Sequence, residues 1–150
     1  MADQSARKAS WSFERLLEEA RTDRNVVGFF LGGSRGKGRE TKDSDYDVYV
    51  IVRNGVVRSY RARYGRRNTA RIEISVMSES EFRRHAAMDG PEAWNRYDFV
   101  HVEAVLDRNG RIQRLIEDKG RIPKDRVRAY VSGRLDAYLN PQYRSIKFWR

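Results

Sequence analysis

Asp45 and Asp47 are separated by a single residue, Tyr46, at the head of an apolar run ending at Val52. In an extended strand, residues i and i+2 share a face, so the two carboxylates project side by side. Tyr46, Val48, Val50 and Val52 then point the other way. Farther along, Ile72, Ile74 and Val76 form a matching apolar face and leave Glu73 opposite them. If the two strands are neighbours, Glu73 joins the aspartates. Three converging carboxylates repel one another and raise one another's pKa unless cations offset the charge. Mg²⁺ offers that offset, because it is a hard ion that takes carboxylate oxygens and completes its shell with water and phosphates. Two such ions can activate an attacking hydroxyl and stabilise a leaving pyrophosphate during an in-line displacement.

A glycine turn supplies the complementary half of such a site. Gly32 and Gly33 let the backbone approach a phosphate closely, and Ser34 brings a hydroxyl and forward-facing backbone N–H groups. Arg35, Lys37 and Arg39 lie within reach of the same negative charge and would help to hold a triphosphate. Taken alone, an acidic pair commonly just opens a strand in solvent. Its company at this spacing favours the chemical reading.

The segment Gly32-Gly33-Ser34-Arg35-Gly36-Lys37-Gly38, followed by Ser44-Asp45-Tyr46-Asp47, resembles the signature of the DNA polymerase beta-like nucleotidyltransferase superfamily. A Gly-Ser turn, about ten intervening residues and Asp-x-Asp on a strand form a far more specific pattern than a lone glycine-rich loop. The resemblance implies that Asp45 and Asp47 ligate two Mg²⁺ ions and that Glu73 ligates the catalytic one. It implies that Gly33 and Ser34 hold the terminal phosphates, with Arg35, Lys37 and Ser44 among the nucleotide-binding positions. The match covers about Trp11 to Glu79 well and the rest loosely. Two departures stand out: Gly36-Lys37-Gly38 replaces the common Ala-Arg-Gly, and the third acid is Glu rather than Asp.

The elements that must position these residues can be read from patterning. Ser10 can cap a helix through about Ala20, Val26 to Leu31 reads as a buried strand, and Ser34 to Ser44 is a loop with room for one helical turn. Tyr46 to Val52 is the clearest strand. Asn54-Gly55 is a two-residue hairpin signal, which favours a returning strand over Val56 to Tyr64, although Val57, Tyr60, Arg61 and Tyr64 also fit a helix. Arg71 to Met77 alternates as a strand, and Ser78 caps a helix from Glu79 to about Ala87. Phe99 to Leu106 reads as a strand, Asp107 to Gly110 as a turn, and Arg111 to Lys119 as a helix closed by Gly120. Pro123 opens a longer helix to about Leu139, and Asn140-Pro141 starts another. The fold class expected is α+β, with the polymerase beta-like fold, a mixed sheet and helices mainly on one face. Residues 1–10 are expected to be disordered, 11–120 to form the nucleotidyltransferase domain, and 121–150 to be C-terminal helices.

At 150 residues the chain is long enough for one domain with a real core and too short for two. It contains no cysteine and two distant histidines, His85 and His101, which excludes disulfides and thiolate or zinc sites and leaves oxygen as the metal donor. No apolar run is long enough to span a bilayer, so a cytoplasmic protein without a membrane partner is expected. A net charge of +10 favours polyanionic ligands but does not choose among them. Arg58, Arg61, Arg63, Arg66, Arg67 and Arg71, with Tyr60 and Tyr64 interleaved, resemble a nucleic-acid surface, although such a run more often forms the wet face of a hairpin or helix. Nucleic acid is therefore not the favoured partner. His101 and Glu103 share a face of the expected last strand and are assigned structural roles.

A nucleoside triphosphate and a small-molecule acceptor are the expected partners, since antibiotic-modifying enzymes of this superfamily join the two. A minimal enzyme acting on protein or tRNA is the alternative, and a non-catalytic nucleotide-binding module is a third, disfavoured by the intact acid set. In small-molecule members a helical domain follows and completes the acceptor pocket. Val127, Val131, Leu135, Tyr138, Tyr143, Ile146, Phe148 and Trp149 offer apolar surface that little remaining chain could cover. That predicts either a homodimer or a longer parent protein carrying the missing helical domain.

Overall fold

The computed structural model describes residues 11–139, apart from the side chains of 137 and 138. The expectations for residues 1–10 and for a helix from Asn140-Pro141 lie outside them. Helix α1 (Phe13–Thr22) begins two residues later than expected, because Ser12 rather than Ser10 is the cap: its hydroxyl accepts the Arg15 N–H at 3.2 Å. Strand β1 (Val26–Leu31) runs into the one-turn helix α2 (Gly33–Gly36), and β2 (Tyr46–Val52) follows.

The next element corrects the expected hairpin. Val57–Gly65 is a helix, α3, in which Val57, Tyr60 and Tyr64 recur at helical spacing and the two tyrosines are buried. Gly55 does turn the chain, with φ +90°, but it turns it into a helix. Strand β3 (Ile72–Ser78) then lies parallel to β2, and parallel neighbours require a crossover, which α3 provides.

Ser78 caps α4 (Glu79–Arg84) in a reciprocal capping box with Glu81, and α4 ends sooner than expected. Ala93–Phe99 forms a 3₁₀ helix, so the expected strand from Phe99 is shortened to β4 (Ala104–Asp107). The period of three explains the difference: Ala93, Arg96 and Phe99 fall on one buried face of a three-residue turn. His101, at φ +64°, then turns the chain towards β4 and stands outside any strand. Helix α5 (Arg111–Gly120), a 3₁₀ turn (Lys124–Arg126) and α6 (Val127–Leu139) complete the described chain.

The sheet order is β3-β2-β1-β4, with β2/β3 parallel and both β1 pairings antiparallel, so the mixed α+β class stands. Its helices divide between two faces rather than gathering on one. Leu16 and Ala20 of α1 and Tyr60 and Tyr64 of α3 pack on Val48, Val50, Ile72 and Ile74. Phe82 of α4, Phe99 and Ile112 and Ile116 of α5 pack on Val27, Phe30 and Ile51 across the sheet. Strand alternation puts neighbouring residues of β1 and β2 in opposite cores, so these central strands are covered on both sides, whereas β3 buries Ile72, Ile74 and Val76 and leaves Glu73 exposed. No helix among the described residues is long and apolar enough to cross a membrane.

Candidate active site

The parallel ladder sets Asp47 opposite Glu73, Tyr46 opposite Ile72 and Val48 opposite Ile74. The condition left open by the sequence is thereby met: β2 and β3 are neighbours and their acids share a register position. Asp45 lies just outside the ladder, exposed, with Oδ1 3.9 Å from Nε of Arg71.

The glycine turn meets the same carboxylate. Gly33 has φ +59°, and a β-carbon there would stand 2.0 Å from Asp47 Oδ2, so only glycine fits at this approach. The Gly32 N–H donates to the Asp47 carbonyl at 2.8 Å, which fixes the turn to β2. Ser34 is exposed in the first turn of α2.

Arg35 and Lys37 are engaged within the protein. Arg35 donates from Nε and Nη2 to the Ser44 carbonyl at 3.1 and 2.8 Å, and its guanidinium lies 3.9 Å from the Tyr46 ring centroid. Ser44 in turn accepts the Thr41 N–H on its hydroxyl at 2.9 Å. Lys37 Nζ donates to the Tyr97 carbonyl at 2.6 Å. Burial lowers its pKa, the Asp98 charge works against that, and Arg134 and Arg39 add to the lowering.

Tyr49 was not singled out by sequence reasoning. It follows Asp47 by two on the same face, stacks on Phe30 with centroids 4.7 Å apart, and backs Gly32, where a β-carbon would stand 2.7 Å from its ring. Burial holds its hydroxyl far above the usual tyrosine pKa, and the charges of Asp98, Asp47 and Glu73 push the same way. The alternation that identified the aspartates would have found Tyr49. Asp98 had no such signal, because it comes from the 3₁₀ helix.

The donor chemistry around Asp47 and Glu73 is all carboxylate oxygen, which suits a hard divalent ion such as Mg²⁺, and such ions commonly take one or two carboxylates with phosphate and water completing the shell. Gly33 leaves the Asp47 carboxylate room that any side chain would fill. Among the described residues no group of three or more His, Cys, Asp and Glu stands close enough to hold a metal ion, so the full three-carboxylate set is not assembled.

Half of the arginine run, Arg58, Arg61 and Arg63, sits on α3, across the sheet from Asp47 and Glu73. Arg63 reaches Glu19 at 2.5 Å and Asp23 at 3.3 Å, Arg67 pairs with Glu19, and Arg61 pairs with Glu81 at 2.8 Å. With Tyr60 and Tyr64 buried, their rings are not presented for stacking on bases.

A family model described as a nucleotidyltransferase domain matches residues 13–132. The chain therefore belongs to that family, within the DNA polymerase beta-like nucleotidyltransferase superfamily. A solved structure from Sulfolobus solfataricus, of a protein proposed to be a nucleotidyltransferase, is similar at 22% identity and a TM-score of 0.39, over 47% of this chain and 68% of that one. No curated protein matches the chain.

Proposed function

We propose that the chain transfers a nucleoside monophosphate from a nucleoside triphosphate to an acceptor hydroxyl, with Mg²⁺ as cofactor and a small molecule, such as an antibiotic, as acceptor. The observation that carries this reading is the in-register pair Asp47 and Glu73 with the Gly33 backbone against the Asp47 carboxylate. The acceptor oxygen attacks the α-phosphorus, the bond from that phosphorus to the bridging oxygen breaks, and pyrophosphate leaves. Asp47 and Glu73 would hold the metal, which when bound would favour loss of the acceptor proton and neutralise charge on the leaving group, while Asp45 stands beside Arg71 at the edge of the site. Ser34 would donate its hydroxyl to the terminal phosphates, with the Gly33 turn leaving them space. Arg35 acts chiefly by holding Ser44, and so the entry into β2, in place. Lys37 supplies positive charge at the far side of the turn. A cytoplasmic setting accords with this chemistry.

The test is to incubate the full chain with Mg²⁺, labelled ATP, GTP, CTP and UTP, and a panel of aminoglycosides, lincosamides, tRNA and lysate protein. Label should pass to a small molecule and be lost in the Asp45→Asn, Asp47→Asn double variant. Transfer that persists in the variant contradicts the assignment, and label on tRNA or protein would move the acceptor to macromolecules.

A further inference from the structure

Helix α6 reaches the phosphate loop through a short chain of contacts. Its inner face packs on the 3₁₀ helix Ala93–Phe99 and the turn before it. Tyr130 donates its hydroxyl to the Met88 carbonyl at 2.7 Å and meets Tyr97 edge-on, with ring centroids 6.4 Å apart. A β-carbon on Gly133 would stand 3.2 Å from Trp94, so the two elements lie close. Beside Gly133, Arg134 donates from Nη1 to Asp98 Oδ1 at 2.8 Å. The neighbouring residue, Tyr97, is the one whose carbonyl holds Lys37 Nζ at 2.6 Å.

Lys37 has a flexible stem, so its ammonium stands wherever its acceptor stands. That acceptor lies in the last turn of the 3₁₀ helix Ala93–Phe99, and the Arg134–Asp98 pair is a side-chain tie between that helix and α6. We propose that Arg134 is a positioning residue for nucleotide binding: by holding Asp98 it fixes the Tyr97 carbonyl and thus the Lys37 ammonium beside the glycine turn. The C-terminal helix then sets the geometry of the loop that receives the triphosphate. This rests on the reading of Lys37 as a nucleotide-binding residue.

The experiment measures the rate at which an amine-reactive ester labels Lys37, read by peptide mass spectrometry, together with the dissociation constant for each nucleoside triphosphate in Mg²⁺. If Arg134 acted only through its charge, Arg134→Gln would raise the Lys37 pKa and slow labelling, since that charge lowers it. Loss of the tie instead frees the amine, and labelling should accelerate by about threefold or more in both Arg134→Gln and Asp98→Asn. The double variant should show no further gain, as expected of partners in one interaction. Nucleotide dissociation constants should rise by roughly threefold to tenfold, with Arg134→Lys in between and the exposed Arg128→Gln unchanged. Unchanged or slower labelling in Arg134→Gln, or faster labelling with unaltered nucleotide affinity, overturns the proposal. If Arg134→Gln loses its fold in a thermal melt, Arg134→Lys decides the matter, since it keeps the positive charge and alters the tie, whereas loss of the Asp98 charge speeds labelling by itself. A wild-type chain that binds no nucleotide would refute the functional reading, while the labelling rate would still report on the tie.

Discussion

A β-carbon on Gly33 would stand 2.0 Å from Oδ2 of Asp47, so the turn after β1 and the carboxylate of β2 fill complementary space. Gly33→Ala must both adopt a left-handed backbone, at a cost of roughly 1–2 kcal/mol, and push Asp47 aside. Nucleotidyl transfer should fall by about a hundredfold while Tm falls by only several degrees. Steady-state kinetics beside a thermal melt checks this. A rate loss no larger than the lost stability accounts for would remove the turn from the site.

Asp47 and Glu73 share a register position, whereas Asp45 is exposed towards Arg71. Asp47→Asn should therefore cost more transfer than Asp45→Asn. Glu73→Gln should lose on the order of a hundredfold and Glu73→Asp should retain part of the rate. The measurement is kcat at saturating Mg²⁺, and a larger loss for Asp45→Asn would reverse the ranking.

Glu19 carries a pH signature. Partial burial works against its charge, but hydrogen bonds from Arg67 and Arg63 outweigh this and hold its pKa below 4.5. A carboxylate lowered on folding stabilises the protein above its unfolded pKa, and that contribution is lost as pH falls through the folded value. Glu19→Gln should thus flatten the loss of stability between about pH 5 and 3. Parallel slopes for variant and wild type in urea melts over that range would deny Glu19 the role.

Helix α6 leaves Val127, Val131, Leu135 and Leu139 between 40% and 55% exposed on one stripe, the surface expected to seek a partner. Light scattering should give a mass near twice 17.6 kDa, and Val131→Glu with Leu135→Glu should return the monomer. A wild-type monomer would count against self-association and leave the stripe to further chain.

What was legible in the sequence follows the strength of local periodicity. β1, β2 and β3 alternate or run apolar over six or seven residues, and Ser78 with Glu81 advertises a helix start, so these stood where they were expected. α3 was misread because Asn54-Gly55 is a strong local turn signal, while the fact that decides for a helix, the parallel pairing of β2 with β3, is non-local. The shortened β4 has a local origin instead, since a three-residue period in Ala93–Phe99 looks irregular to templates of 2.0 and 3.6. The juxtaposition of Asp47 and Glu73 was legible because alternation fixes the face, and the approach of Gly33 because turns of this kind demand glycine. The engagement of Lys37 with Tyr97 was not, since it joins residues sixty positions apart.

The parallel ladder also governs how the chain tolerates changes in length. One residue inserted within β3 would shift its phase, carrying Glu73 into the core that holds Tyr60 and Tyr64 and sending an isoleucine to face Asp47. The same insertion at the exposed end of α3, around Gly65 and Arg66, would alter only the span of a connection, at small entropic cost. Descendants of this sequence can thus drift in length around Gly65 and Arg66 and must keep count within β3.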